Sequence, residues 1–259
     1  MKALLPALLA VLGYFGPLAA AIVEKPQEYK SGDVVCEGWQ AYDDAVTGPR
    51  PGVLVVHQWT GISDHEKEAA RKLAALGYNV LVADIYGKGV RPQPPAAGKE
   101  AGKYKSDRPL LRARVNAALD VLSHDVRTDA SKLAATGYCF GGTTVLELAR
   151  SGTALKGVVS FHGGLDSPTP ADGKNIKAKV LALHGADDPY VPAKDVAAFE
   201  AEMKAAGVDY KLVKYPSAVH SFTHQAAGND NAKGAAYNAD ADRDSWFQMA
   251  QFLKTTLGR

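Results

Sequence analysis

The strongest constraint on the fold is a repeated alternation, in which short runs rich in Val, Ile and Leu are each followed by a stretch with helical spacing. The runs are "VLVV" (53 to 56), "NVLVAD" (79 to 84), "LAATGY" (133 to 138), "LKGVVSF" (155 to 161), "AKVLALH" (178 to 184) and "YKLVKYP" (210 to 216). Strands that are apolar at nearly every position are covered on both faces, and parallel strands need a crossover, usually a helix, to return the chain. The pattern predicts an α/β fold: a mostly parallel sheet with helices on both faces. The earlier segment "DVVCEGWQAYDD" is expected to add an antiparallel N-terminal edge.

Several helix boundaries are legible. Ser63 followed by Glu66 is a capping-box pattern, Ala69, Leu73 and Leu76 share a face, and Gly77 is a natural stop. Pro192 marks a helix start followed by Val196, Phe199 and Met203, and the last helix carries Trp246, Met249, Leu253 and Leu257. These stripes read as core. The segment from 87 to 107 is long and poor in large apolar residues, so a surface excursion bordering a site is expected there.

With 259 residues, 46% of them apolar, the chain can bury a substantial core, and no repeat or linker divides it, so residues 22–259 are read as one domain. Lys and Arg number 30 against 28 for Asp and Glu, interspersed, which argues against a nucleic-acid partner or an anionic membrane surface. Lys2 precedes an apolar run from Ala3 to Ala21 that ends in small residues, the layout of a secretory signal. Residues 1–21 are therefore expected to be a signal peptide cleaved near Ala21, giving an exported (periplasmic or secreted) protein without stable membrane association. The alternative is an uncleaved anchor, against which stand Pro6, Gly13, Gly16 and Pro17 within the run. A monomer is expected.

The stretch "GYCFGG" (137 to 142) reads as a strand, a sharp turn and a helix start, with Cys139 at the apex and glycines two residues to either side. This is the spacing of a nucleophile elbow with a thiol in the place of the hydroxyl. A helix N-terminus and a neighbouring imidazole both favour thiolate, the reactive form. Partners follow in the order nucleophile, acid, histidine: Asp187 and Asp188 in "GADDPYVP", then His220 in "SAVHSF", each after a strand. Alternatively, Asp188 caps the helix beginning near Pro192 and His220 is a loop histidine. Cys36 reads as a small buried hydrophobe.

The stretches "GVLVVHQWTG", "VLVADIYG", "GYCFGG", "FHGG", "LHGADDPYVP" and "HSF" together resemble the dienelactone hydrolase family of α/β-hydrolases over nearly all of the mature chain. The resemblance implies an α/β-hydrolase fold without cofactor, acting on a small-molecule ester or lactone through a thioester. Position by position it makes Cys139 the nucleophile, Asp188 (rather than Asp187) the acid and His220 the base, with the backbone N–H groups of Trp59 and Phe140 as oxyanion hole.

Three positions depart from the family's pattern. Gln58 stands where a glutamate is common; it cannot take the thiol proton, so a resting Cys139–His220 ion pair is expected. Lys88 and His224 stand where arginines hold a substrate carboxylate, with Arg91 nearby, and Val219 replaces a glycine before the histidine. Gln58, Lys88 and His224 are thus candidate substrate-binding residues, together with His162 at a strand end; His184 is expected to bond within the acid loop. No metal-ligand spacing appears among seven histidines. A non-hydrolytic small-molecule binding protein and a thiol redox protein remain alternatives, the latter without a resolving cysteine nearby in sequence.

Overall fold

The computed structural model describes residues 21–258. The expected signal over residues 1–21 lies, Ala21 apart, outside the described residues. β1 (Ile22–Ser31), β2 (Val34–Asp43), β3 (Arg50–Val56), β4 (Asn79–Ala83), β5 (Thr128–Tyr138), β6 (Gly157–Phe161), β7 (Lys179–Gly185) and β8 (Tyr210–Tyr215) form one sheet in the order β1-β2-β4-β3-β5-β6-β7-β8. From β3 to β8 all neighbours run parallel, while β1 and β2 pair antiparallel with each other and β2 with β4. The predicted architecture, antiparallel N-terminal edge included, is the one observed.

Side chains of the central strands divide strictly by parity. Leu54, Val56, Leu81, Ala83, Val158 and Val180 enter one core layer, whereas Val53, Val55, Val80, Val82, Val159 and Leu181 enter the other. The first layer packs against α2 (Ala96–Ser106), α3 (Arg108–His124), α4 (Phe140–Arg150) and α5 (Ala193–Ala205). The second packs against α1 (Asp64–Ala75) and α6 (Ala239–Leu257). Covering both faces is what lets these strands be apolar throughout.

Three local expectations change. Residues 87–107 are not wholly an irregular excursion, because α2 occupies 96–106 and buries Ala97, Ala101 and Tyr104. Leu76 is the C-cap of α1 and is exposed, the buried face being Glu66, Ala69, Ala70, Leu73 and Ala74. β1 has no counterpart among the predicted runs. It is an edge strand burying only Tyr29, joined to β2 by a two-residue turn in which Gly32 takes φ 59°.

α4 is anchored at its far end by ions. Arg150 is fully buried, donating to Glu147 at 2.9 Å and to both carboxylate oxygens of Glu202 on α5 at 2.8 and 2.7 Å. Glu147 also pairs with Arg112 at 2.8 Å. Removing one partner of such a group strands the other without counter-charge. Arg150→Met is therefore expected to cost about 3–5 kcal/mol by leaving Glu202 unpaired, read as a lowered urea midpoint with an unchanged slope.

Candidate active site

All parallel strands end on the same edge, so the loops after β3, β5, β7 and β8 meet there. β5 turns into α4 at Cys139, whose φ of 55° and ψ of −113° lie outside the regions comfortable for a side chain. The glycines are required by contact: a Cβ on Gly137 would sit 2.2 Å from Gly141 O, and one on Gly141 would sit 2.2 Å from Val56 O. The turn pushes the sulfur out at the N-terminus of α4.

The acid and histidine loops are fastened together. A Cβ on Gly185 would lie 2.6 Å from Ala218 O, and Asp187 N–H donates to that same carbonyl at 3.0 Å. Asp188 Oδ1 accepts from Tyr190 N–H at 2.8 Å, and its Oδ2 lies 2.8 Å from His220 Nδ1. His220 Nε2 is 3.0 Å from Cys139 Sγ. A single bridge to Ala235 holds the histidine's backbone: His220 N–H donates to Gly234 O at 3.2 Å and His220 O accepts from Ala236 N–H at 3.0 Å.

Burial would by itself raise the Cys139 pKa. The His220 charge, its hydrogen bond, the Phe140 N–H and the Lys105 charge outweigh burial and hold the thiol below its ordinary value. For His220, burial works against the charge, but the Cys139 thiolate and Asp188 overcome it and push the imidazole up to about 10. Both shifts favour the thiolate–imidazolium form of the pair, beside a buried carboxylate.

A cavity of about 360 Å³ opens above the sulfur. Trp59, Phe140, Tyr190 and Val191 supply apolar walls. Lys105, on α2, lines it and has no hydrogen-bond or ion-pair partner among the described residues. The backbone N–H of Trp59 is likewise unpartnered among the described residues. Trp59, Phe140 and Lys105 thus border the same space as Cys139. No group of three or more His, Cys, Asp or Glu among the described residues is placed to hold a metal.

The family model described as "Dienelactone hydrolase family" matches residues 37–257. The chain belongs to the dienelactone hydrolase family. It is an α/β-hydrolase of the carboxylic-ester hydrolase kind. A structure of the dienelactone hydrolase-like promiscuous phosphotriesterase P91 from metagenomic libraries is 38% identical, with a TM-score of 0.87 over 92% of this chain and 99% of that one. A second, m3DLH, is 37% identical at a TM-score of 0.88 over the same shares. A Bradyrhizobium protein named "Probable 2-oxo-3-(5-oxofuran-2-ylidene)propanoate lactonase" is 31% identical over 82% of this chain and 86% of its own length.

Of the sequence-derived candidates, Cys139, His220, Trp59 and Phe140 line one cavity, and Asp188 is bonded to His220 from behind. The four expected substrate-binding residues do not. Lys88 is corrected to an exterior position, where it pairs with Glu28 and, at 3.3 Å, with Glu37. His162 is fully buried behind His220, ring centroids 5.2 Å apart, and its Nε2 meets Thr223 Oγ1 at 2.9 Å, so it backs the histidine instead of lining the cavity. Gln58 and His224 face each other, Nε2 to Nδ1 at 3.5 Å, and His224 lines a different cavity of about 280 Å³ with His65 and Trp246. Arg91 turns to Asp84 at 3.4 Å, and Val219 fits because its backbone keeps a negative φ.

Lys105 and Tyr190 are cavity residues that sequence reasoning missed. The signal for Lys105 was the i, i+4, i+7 spacing of Ala97, Ala101 and Tyr104, a buried helix face made of two alanines and one tyrosine.

The pH dependence follows from the two shifts. A thiol held below its ordinary value keeps thiolate at pH values where a free one is protonated, so alkylation of Cys139 by iodoacetamide should inflect below about pH 8.5. His220→Ala removes the leading downward cause and leaves burial less opposed, so the inflection should move upward from that of the wild type. Rates of mass-detected alkylation against pH check both directions.

Proposed function

We propose that the protein hydrolyses a small carboxylic ester or lactone through a thioester on Cys139. The observation that carries this reading is the unbroken chain Sγ–Nε2 at 3.0 Å and Nδ1–Oδ2 at 2.8 Å, set at the floor of a cavity flanked by the free Trp59 N–H. The thiolate attacks the carbonyl carbon, forming a C–S bond and moving the C=O electron pair onto oxygen. The N–H groups of Trp59 and Phe140 stabilise that oxyanion, each by about 3 kcal/mol. Collapse breaks the C–O bond as His220 passes its proton to the departing alkoxide.

Water then enters. His220 takes a proton from it, hydroxide adds to the thioester, and the acid leaves as Cys139 returns to thiolate and His220 to imidazolium. Asp188 fixes Nδ1 as the protonated nitrogen and stabilises the cation at each stage. The route uses side chains and water only, and a lactone would open to a hydroxy acid by the same steps.

Two observations favour hydrolysis over thiol redox chemistry. Both cysteines are free, and Cys36 is sealed in the core, where burial and then Asp84 push its thiol up to about 11. A thiol so protonated is a poor resolving group. Lys105 further inclines the site toward substrates bearing a negative charge, as an unpaired cation on a mostly apolar cavity wall. Because P91 is described as a promiscuous phosphotriesterase, triesters belong in the same substrate screen.

Cys139→Ala and His220→Ala should each abolish hydrolysis of a short activated ester while leaving the circular dichroism spectrum unchanged; wild-type turnover in the cysteine variant would defeat the assignment. Lys105→Met should raise KM for carboxylate-bearing esters about tenfold and leave neutral esters nearly unaffected, a charged hydrogen bond being worth about 1.5–3 kcal/mol. Paired KM measurements on the two ester types read the difference.

A further inference from the structure

The peptide unit joining Gln58 to Trp59 and the units on either side of it are gripped from several directions. Gln58 N–H donates to Glu66 Oε1 at 3.2 Å, Gln58 O lies 2.5 Å from His57 Nδ1, and Trp59 O accepts the Tyr86 hydroxyl at 2.9 Å. Gln58 O also accepts Gly61 N–H, at 3.3 Å. The N–H of the same peptide, that of Trp59, has no partner among the described residues. A trans peptide is planar, with its C=O and N–H pointing in opposite directions. Fixing Gln58 O therefore fixes where Trp59 N–H points.

The other side of His57 decides its tautomer. Nε2 is 3.2 Å from Ile85 N. A backbone N–H only donates, so Nε2 must accept and the ring proton sits on Nδ1, aimed at Gln58 O. The imidazole is fully buried, stacked on Phe140 at 5.8 Å and met edge-on by Tyr86 at 4.7 Å. Burial lowers its pKa, outweighing the nearby Glu66 and Asp84 charges that favour the cation. An imidazolium there would carry a second ring proton toward the Ile85 N–H and lose that bond.

We infer that His57 is a positioning residue for hydrolysis: by donating from Nδ1 to Gln58 O while Ile85 N–H holds Nε2, it sets the plane of the Gln58–Trp59 peptide and so the direction of an oxyanion-hole N–H. This rests on the thioester route proposed above. His57 touches no substrate; it ties the loop after β3 to the loop after β4, and its ring meets that of Phe140, whose own N–H is the second donor. Sequence position alone gives no hint of this, since His57 directly follows β3 and resembles any strand-end histidine.

The test separates oxyanion stabilisation from thiol reactivity. Displacement of iodide from iodoacetamide by Cys139 develops no carbonyl oxyanion, whereas ester cleavage does. His57→Phe keeps a ring and loses both bonds. It should lower kcat on an activated ester about 100-fold with KM and the Cys139 alkylation rate each within about threefold of wild type. His57→Gln, whose amide can donate and accept, should recover at least about tenfold of that loss. Unchanged kcat in the phenylalanine variant, alkylation and hydrolysis falling together, or no recovery with glutamine would each overturn the inference. Should His57→Phe not fold, Tyr86→Phe releases the Trp59 carbonyl, in the next peptide along, and loosens the Trp59 N–H from its other flank. There kcat should fall with alkylation intact, and any other pattern counts against the inference. Failure of the underlying route shows separately, as turnover retained by Cys139→Ala.

Discussion

The site depends on one crowded junction, where β5 turns into α4 against the end of β3. Cys139 occupies a backbone conformation that costs a side-chain-bearing residue on the order of 1–3 kcal/mol, and it is held there by contacts that leave no alternative. Gly137 touches Gly141, and Gly141 touches Val56 and His57, closer than any Cβ would allow; Gly142 meets Gly163 just as tightly. Because β3, β5 and β6 are in parallel register, their ends arrive together and the three loops interlock. The thiol, the N-terminus of α4 and the end of β3 are thereby brought together by backbone contact, and the side chains of His57, Glu66 and Tyr86 then hold the loop bearing Trp59.

From this junction the electrostatics follow. The sulfur sits where burial opposes its charge, so thiolate is tolerable only beside a cation, and His220 can be that cation only because Asp188 and the thiolate both hold its proton. Each charge is conditional on the other two. The Asp188 side chain is sealed from solvent, while His220 keeps a narrow exposed edge at the cavity. That exposed edge would serve the proposed route, in which the imidazole delivers a proton to the cavity and then collects one from it.

Much of this was readable in the sequence, for reasons that particular residues make plain. The central strands announced themselves because they are buried on both faces, and the elbow because its glycines are demanded by backbone contact. The order Cys139, Asp188, His220 was legible because strand order and loop position are tied in a doubly covered parallel sheet. β1 was not, since an edge hairpin needs only Tyr29 inside and can spend its other positions on charge. α2 hid behind alanines. Lys88 and His224 were placed by alignment to a motif, yet which way a side chain points depends on what competes for it: two carboxylates claim Lys88, and His65 with Gln58 claims His224.

The buried histidines show how far the partner, rather than the residue type, decides function. His57 faces two backbone groups of opposite polarity, so one nitrogen donates, the other accepts, and burial keeps the ring uncharged. His162 faces the Thr223 hydroxyl and lies against the charged His220 ring, and burial first, then that charge, drives its own pKa well below the ordinary value. His220 alone stands between two groups that are themselves anionic. A second cation behind it would compete for Asp188 and the thiolate, so an uncharged His162 is a condition for the charged His220. Burial denies charge to those two imidazoles and opposes it on the third, where Cys139 and Asp188 overcome it at the point where the fold also delivers a sulfur.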